Sequence, residues 1–290
     1  MASPSVRPLA HALDPVEHWT ALDRVAAVVR RAVGPLTRAR SARNALAGVP
    51  LGHPVHPPLA QFTLGCFLSA GLLDLRGRPE DRSASTGLIA LGVAGAVPTA
   101  LTGLGDWSHG HEEQQRTGLV HAAANGSALV LYAATLLGRR SGRTARWSSL
   151  AAAGLTGAAA YVGGHLAFRQ ALGANHTEHV PHRVPPGWTS LGSVELIPER
   201  ALVARTLGDQ PLLCYRDGDD VTVLSDVCPH LSAPLHEGEV SDGCVTCPWH
   251  GSTFRLADGE PVAGPATAPV PAFEVRVEGG EVQVLLPGAG

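Results

Sequence analysis

Four long apolar stretches occupy the first 168 residues of the chain. Each is 17–22 residues long with few or no charges, close to the ~20 residues that a helix needs to cross hydrocarbon. They are rich in Gly, Ala, Ser and Thr, which let helices pack closely in lipid. The pattern predicts an all-α, four-helix transmembrane bundle, because a soluble bundle would show charged outer faces that these stretches lack. The stretches are 59–75, 84–105, 118–137 and 148–168.

After residue 187 the pattern changes to short runs in which apolar and polar residues alternate. Phe273, Val275 and Val277 alternate with polar residues, and a second run follows the Gly-Gly pair at 279–280. This is typical of a hairpin. Another hairpin is predicted around 217–220, between the runs PLLCY and VTVL. We therefore predict an all-β module over 187–290, so the chain is a multi-domain protein.

Two further segments complete the predicted organisation. Residues 1–47 are expected to form an amphipathic arm, in which Asp14 and Pro15 begin one helix. The apolar residues on one side of that helix would be Val16, Trp19, Leu22, Val25, Val29 and Val33. The transmembrane domain is predicted to span 48–172, and a Pro- and His-rich linker, 173–186, connects it to the β-module.

The formal net charge of −3 combines two unlike parts. Residues 1–186 hold 17 arginines against 10 acidic residues, whereas 187–290 hold 5 against 15. This asymmetry favours a membrane surface for the first part and a soluble second part, so we expect membrane lipid as a partner and no nucleic acid.

Arginines also bear on the orientation of a multi-pass protein in a bacterial cell membrane. They follow the first and third apolar stretches, and short positive loops stay in the cytoplasm, which favours an extracytoplasmic β-module. Arginines before the first stretch argue the other way. The loop arginines are Arg76, Arg78, Arg82, Arg139, Arg140, Arg143 and Arg146.

Two cysteine–histidine pairs lie in the acidic part. Cys228 and His230 occur in CPHLSAPLHEG, and after 16 intervening residues come Cys247 and His250 in CPWHGSTF. Two sulfur and two nitrogen ligands suit tetrahedral zinc, but zinc fingers usually take both cysteines from one turn and both histidines from one helix. Here each loop supplies one of each, which favours a [2Fe–2S] cluster with unlike irons and leaves zinc as the alternative.

With both motifs complete, the segment from about 187 to 287 resembles a Rieske-type iron–sulfur domain. The resemblance implies that the two cysteines bind one iron and the two histidines the other. Members from bc complexes carry two extra cysteines that form a disulfide, and those positions hold Ala233 and Trp249 here. The chain is therefore similar to the ferredoxin and oxygenase branch of the family.

The resemblance also implies how the cluster is tuned. High-potential members place a Ser and a Tyr after the second histidine, and both donate hydrogen bonds to sulfur. This chain has Ser252 but Phe254, so we expect a midpoint in the lower half of the range of about −150 to +300 mV. Trp249 occupies the second ligand loop, and Gly264–Pro265 resembles the proline loop that covers the cluster in this family.

The remaining cysteines have a structural interpretation. Cys244 and Cys247 could form a dithiol, but Cys244 lies in an alternating run and Cys247 already has a better-spaced set of partners. Cys66 and Cys214 have no motif around them and are expected in the core.

The opening of the first apolar stretch, LGHPVHPPLAQF, resembles a bacterial membrane-domain family of unknown function over about 48–172. In a four-span arrangement His56, His121 and His165 fall at the same membrane face. Imidazoles there could ligate a haem b, or bind a quinone and take its protons. The alternative is a structural role, in which they hydrogen-bond between helices or to headgroups.

These features predict a membrane-anchored carrier of single electrons between a membrane donor, quinol or haem, and a redox partner protein. It is not expected to be a terminal oxygenase, because no histidine follows His250 to build a mononuclear iron site. Two alternatives are a membrane redox sensor or assembly protein, and a transport bundle regulated by its iron–sulfur domain.

Overall fold

The computed structural model describes residues 11–141 and 145–287, which fall into two units. The first unit comprises the chain up to Thr37 together with Val55–Leu172, and the second comprises Arg38–Pro54 together with the chain from Gly173. The division cuts across the predicted segments in three places. Residues 38–47 of the arm, residues 48–54 of the predicted transmembrane domain and the 173–186 segment all belong to the second unit.

Seven helices are present among the described residues. Four of them, α4 to α7, pack as neighbours in the first unit, where α4 contacts α5 and α7, and α6 contacts α5 and α7. The helices are α1 (Asp14–Glu17), α2 (Leu22–Arg38), α3 (Arg40–Ala47), α4 (His56–Arg76), α5 (Asp81–Trp107), α6 (Glu112–Arg140) and α7 (Arg146–Phe168).

Local sequence accounts for where the long helices begin and end. Pro57 and Pro58 lie in the first turn of α4, where no backbone N–H is needed, and Gly77 ends the helix in the left-handed conformation. His111 begins α6 in a reciprocal capping arrangement with Gln114. Pro98 lies inside α5, and the hydroxyl of Thr102 donates to its carbonyl.

Among the described residues, three helices are long and apolar enough to cross a membrane: α4, α5 and α6. The 23-residue α7 is outside this group, so its crossing stays a prediction. The bundle packs closely: the rings of Phe67 and Tyr132 stack with centroids 4.0 Å apart, and a Cβ on Gly92 would lie 2.5 Å from Phe67.

The arm differs from the predicted single helix that begins at Asp14. It forms α1 and α2, separated by a turn at 18–21. Polar contacts within the first unit explain the break, because they fix the position of α1 against the long helices, where a single continuous helix would not make them. Glu17 Oε1 lies 2.6 Å from His165 Nε2, Asp14 pairs with Arg169, and Asp23 pairs with Arg116 at 2.6 Å.

The second unit contains two antiparallel sheets. The larger has the order β1-β10-β9-β4-β3-β2, and the smaller has the order β5-β6-β7-β8. The strands are β1 (Thr189–Ser193), β2 (Val203–Leu207), β3 (Gln210–Asp217), β4 (Asp220–Ser225), β5 (Glu239–Ser241), β6 (Cys244–Thr246), β7 (Thr253–Arg255), β8 (Pro261–Ala263), β9 (Ala272–Glu278) and β10 (Glu281–Leu285).

Both predicted hairpins are confirmed. Asp217 pairs with Asp220 across a two-residue turn, and Glu278 pairs with Glu281 around the Gly-Gly pair. One core lies in the larger sheet around Leu212, Val223 and Val282. The other core joins the smaller sheet to the cysteine loops. The strands all lie in the module predicted over 187–290, whose all-β class follows from the alternating pattern.

Candidate metal centre

The four predicted ligands lie in two loops of the second unit. Cys228 and His230 follow β4, whereas Cys247 and His250 lie between β6 and β7. Each loop is closed by backbone hydrogen bonds. The amide of Cys228 donates to Ala233 O at 2.9 Å, and the amide of Cys247 donates to the carbonyl of residue 252 at 2.7 Å. The short β6–β7 pairing fixes the ends of the second loop.

The structure brings these side chains together. The rings of His230 and His250 have centroids 5.1 Å apart and lie nearly perpendicular, at 85°. Cys228 and Cys247 are buried, with 1% and 3% exposure, and both histidines are partly exposed. The site thus has a buried sulfur side and a more accessible nitrogen side.

Both sulfurs lie among hydrogen-bond donors. A hydrogen bond from the thiol of Cys228 lowers the pKa of Cys247, and the backbone amides of Trp249 and His250 act in the same direction. The same bond raises the pKa of Cys228, while the amides of His230 and Leu231 oppose that change. Donors aimed at sulfur stabilise negative charge there, as a thiolate-ligated cluster requires.

The donor set fits a [2Fe–2S] cluster. Each iron of a Rieske centre takes only two protein ligands, so the site does not need three side chains that converge on a single ion. Among residues 11–141 and 145–287, no group of three or more His, Cys, Asp or Glu side chains is arranged for a single ion. The fit rests on the pairing of the side chains: the thiols of Cys228 and Cys247 hydrogen-bond to each other, and the rings of His230 and His250 are 5.1 Å apart, so two cysteines could hold one iron and two histidines the other.

The predicted tuning residues surround the site in different ways. Ser252 is buried, and its Oγ accepts a hydrogen bond from the amide of Ala266 at 2.9 Å. That bond uses an oxygen lone pair and leaves the hydroxyl hydrogen as a donor. Phe254 is fully buried and pairs with Val245 across the smaller sheet. Trp249 is 48% exposed, with its ring 6.3 Å from that of His250.

The positions of the other three cysteines agree with the structural role predicted for them. Cys244 begins β6 opposite Arg255, and Cys66 and Cys214 are buried. Burial raises the pKa of Cys214 to about 11, so it stays a neutral thiol.

Sequence reasoning missed three polar residues near the ligand loops. The carboxylate of Asp226 accepts the amide of His236 at 2.7 Å and lies 2.5 Å from its Nδ1. The amide of His176 donates to Pro229 O, and its Nδ1 lies 3.1 Å from Ser232 Oγ. Asn44 bonds to the strand before Gly264 and to Gly264 itself. His236 falls inside the first motif and Asp226 lies two residues before Cys228, whereas His176 and Asn44 are too distant in sequence from their partners to leave a local signal.

The membrane histidines each have separate partners. His56 Nδ1 lies 3.0 Å from Thr99 O, and His165 bonds to Glu17. Both ring nitrogens of His121 are engaged, one with Ala159 O at 2.9 Å and the other with Asn125 at 3.2 Å. Such a ring would have to give up a bond to ligate iron. These contacts favour the structural alternative.

Comparison with known proteins identifies two family matches. Residues 187–274 match the Rieske [2Fe-2S] domain, and residues 52–176 match a predicted membrane protein family, DUF2231. The second match and the three apolar helices indicate a membrane location.

Curated relatives agree with the first match, and one solved structure is similar over part of this chain. The chain is 37% identical over 97 residues to the ferredoxin subunit of anthranilate 1,2-dioxygenase from Burkholderia cepacia, a third of this chain and 90% of that protein. It is 41% identical over 78 residues to ferredoxin CarAc of Metapseudomonas resinovorans, 27% of this chain and 73% of that one. The carbazole 1,9a-dioxygenase ferredoxin of Nocardioides aromaticivorans is 28% identical, with TM-score 0.33, over 34% of this chain and 96% of that chain.

Proposed function

Because the chain belongs to the Rieske [2Fe–2S] family, we propose that it is a membrane-anchored electron-transfer protein. Cys228 and Cys247 would hold one iron, and His230 and His250 the other. When bound, the cluster supplies a centre that accepts and releases one electron. The residues of this chain keep the two cysteine sulfurs away from solvent and leave the two histidines accessible to a redox partner.

One observation carries the proposal: two buried cysteines and two partly exposed histidines meet at neighbouring loops of one β-unit. Electron transfer needs an edge of the centre near the partner, and the accessible edge here is the histidine edge. Trp249 extends that edge with an exposed aromatic surface. The named relatives are ferredoxin subunits of dioxygenases, so we infer a redox partner protein for this chain as well.

The membrane family match and the apolar helices support an electron donor at the membrane, a quinol or a haem. We propose a multi-pass protein of a bacterial cell membrane, with its iron–sulfur unit on the extracytoplasmic side. The contacts of His56, His121 and His165 favour a donor that binds elsewhere, because these rings already have hydrogen-bond partners.

The test is a spectrum of the anaerobically purified, full-length protein. We expect about two irons and two acid-labile sulfides per chain, and an EPR signal with a low average g value after reduction. Cys247→Ser and His250→Cys variants should lose or change that signal, whereas Cys244→Ser should keep it. Zinc in place of iron would overturn the proposal. A cluster that reduces but passes no electron to any membrane acceptor would favour the redox sensor.

A further inference from the structure

A segment that neither family match contains contacts the smaller sheet. Residues 40–51, here called the pre-span segment, include α3 and end five residues before His56 begins α4. They precede both matched regions, which begin at 52 and 187. Nevertheless, they belong to the second unit together with the iron–sulfur loops.

Asn44 makes the central contact. Its Nδ2 donates to Val262 O at 3.2 Å, and its Oδ1 accepts the amide of Gly264 at 3.0 Å. β8 is the last strand of the smaller sheet, with β7 on its other side. An edge strand leaves a row of backbone donors and acceptors without a strand partner. The side-chain amide of asparagine has both an N–H donor and a carbonyl acceptor, so Asn44 hydrogen-bonds to β8 as the backbone of a neighbouring strand would.

Other contacts of the pre-span segment reinforce this one. Arg40 Nη2 donates to the same Val262 O at 3.0 Å. A Cβ built on Gly264 would lie 3.0 Å from a methyl of Val49 and 3.2 Å from Ala47, so the segment packs directly on that glycine. A side chain at 264 would therefore separate the two surfaces.

The contact continues to the metal centre through one short stretch, residues 262–266. Asn44 holds its first part, and the amide of Ala266, at its end, donates to Ser252 Oγ at 2.9 Å. Ser252 lies two residues after the ligand His250. The position of the hydroxyl thus depends on where 262–266 lies.

We propose that Asn44 is a positioning residue for the iron–sulfur centre, which holds residues 262–266 so that Ser252 is oriented toward a cluster sulfur. The inference rests on the proposed function, because it assigns a role toward the cluster. It makes the chain immediately before the first apolar helix a part of the centre. The region that matches the Rieske family begins at residue 187, so it does not include Asn44.

His176, in the 173–186 segment, contacts the first ligand loop. His176 lies eight residues beyond Phe168, the end of α7. It bonds to Pro229 O at 2.9 Å and to Ser232 Oγ, on either side of His230. The pre-span segment thus contacts residues 262–266, and the 173–186 segment contacts the first ligand loop.

The decisive experiment is a double-mutant cycle on the full-length protein in detergent, with the midpoint potential followed by EPR. Ser252→Ala should lower the midpoint, because it removes a hydrogen bond that stabilises the reduced cluster. Asn44→Ala should lower it in the same direction by less. In the Ser252→Ala background, Asn44→Ala should cause no further shift, because the hydroxyl that it positions is gone.

Two further variants separate positioning from general damage. Ser41→Ala, an exposed change on the same helix, should leave the midpoint unchanged. Asn44→Asp keeps the acceptor for the Gly264 amide and loses the donor, so its effect should be intermediate. An unchanged midpoint in Asn44→Ala with an intact EPR signal, or a shift of equal size in both backgrounds, would refute the positioning role.

Hydrogen exchange gives a readout that does not need the cluster. In the full-length apoprotein, Asn44→Ala should speed exchange of the Gly264 amide about tenfold, because one hydrogen bond of ordinary strength is lost. Equal rates in both proteins would overturn the contact itself. If the purified wild type holds no iron but the exchange difference is present, the proposed function fails and the contact stands.

Discussion

Ser252 and Phe254, which follow the second ligand histidine, are the residues that we predict to tune the centre. Ser252 keeps a hydroxyl held by the Ala266 amide, and Phe254 replaces the tyrosine of high-potential relatives by a ring without a donor. Phe254 belongs to the same buried cluster as Cys228 and Cys247, so a hydroxyl there would be near sulfur. The chain therefore carries one of the two usual donors.

Phe254→Tyr should raise the midpoint by about 50 mV, because a hydrogen bond of about 1 kcal/mol to sulfur favours the reduced cluster. The measurement is a redox titration followed by EPR. Phe254→Leu is the matched control, since it alters packing and adds no donor, and its midpoint should not rise. An unmoved midpoint in Phe254→Tyr with a normal signal would mean that the hydroxyl does not reach sulfur.

The candidate ligands stand out in the sequence because each pair lies within one short loop. CPH and CPWH fix residue type, spacing and chemistry within four residues, and the comparisons confirm the family that they indicate. Asn44 could not be predicted, because its partners lie about 220 residues away and an asparagine in a helix carries no pattern. His176 has the same difficulty, with its partner Ser232 56 residues distant.

At the level of elements, the turn between β7 and β8 leads into the 262–266 stretch and depends on one glycine. Gly259 has φ +74°, and a Cβ there would lie 1.9 Å from Val270 O. The Val270 amide donates to Gly259 O at 2.9 Å, so the two backbones touch. Gly279 also has positive φ, +60°, but open space lies around it.

Gly259→Ala should therefore be far more damaging than Gly279→Ala. A left-handed alanine costs about 1–2 kcal/mol, and the clash at 259 adds to that cost. We expect the temperature of cluster loss to fall by more than about 10 °C for Gly259→Ala and by less than about 8 °C for Gly279→Ala. The visible absorbance on heating measures both. Equal decreases would show that backbone conformation alone sets the cost.

In the helical bundle, one guanidinium joins three helices. Arg139 of α6 pairs with Asp74 of α4 at 2.6 Å, and both side chains are buried, at 4% and 8% exposure. Arg139 also donates to the hydroxyls of Ser85 and Thr86 in α5. The sequence placed Arg139 among the loop arginines, because its partner lies 65 residues away and no local pattern links them.

Asp74→Leu should destabilise the bundle by about 3–5 kcal/mol, because it leaves a buried guanidinium without its counter-ion. Replacing both residues, Asp74→Leu with Arg139→Met, should recover most of that loss. Thermal unfolding in detergent measures each variant, and the exposed neighbour Arg140→Met is the control, expected near wild type. A double variant no more stable than Asp74→Leu would contradict a buried ion pair.

The arm illustrates a different failure of sequence reasoning. Apolar spacing continues from Val16 to Val33, so periodicity alone predicts one helix. The turn at 18–21 instead lets α1 lie where Glu17 meets His165 and Asp14 meets Arg169. These contacts involve α7, and a pattern within the arm contains no information about them.

For the whole molecule, the chain enters the second unit from both ends of the helical bundle. Arg38–Pro54 leads into α4 and Gly173 follows α7, yet both belong to the same unit. A folded β-unit lies on one side of a membrane, because its polar backbone cannot be divided across hydrocarbon. The chain must then cross an even number of times between 54 and 173. Since α4, α5 and α6 are three apolar helices, we predict that α7 crosses as well.

The distribution of arginines among the loops leads to a prediction of which side of the membrane holds the β-unit. The loop after α4 carries Arg78, and the stretch 140–146 at the end of α6 and the start of α7 carries Arg140 and Arg146. Arg143, in the same stretch, lies outside the described residues. Arg139 is buried in its ion pair and adds little to this count. The loop after α5 has no arginine before the acidic start of α6. Positive loops stay in the cytoplasm, so this distribution favours a β-unit outside it.

Reporter enzymes that are active only outside the cytoplasm test two predictions at once: that α7 crosses the membrane, and that the β-unit lies outside the cytoplasm. A reporter inserted at 108–111, after α5, and one fused after Gly290 should both be active, whereas one at 77–80, after α4, should be inactive. The reason is parity: four crossings return the chain to the side from which α4 began. Agreement between the reporters at 77–80 and Gly290 would mean three crossings, and would separate the pre-span segment from the β-unit across the membrane. In that arrangement Asn44 could not reach Gly264, so the same assay also bears on the positioning of Ser252.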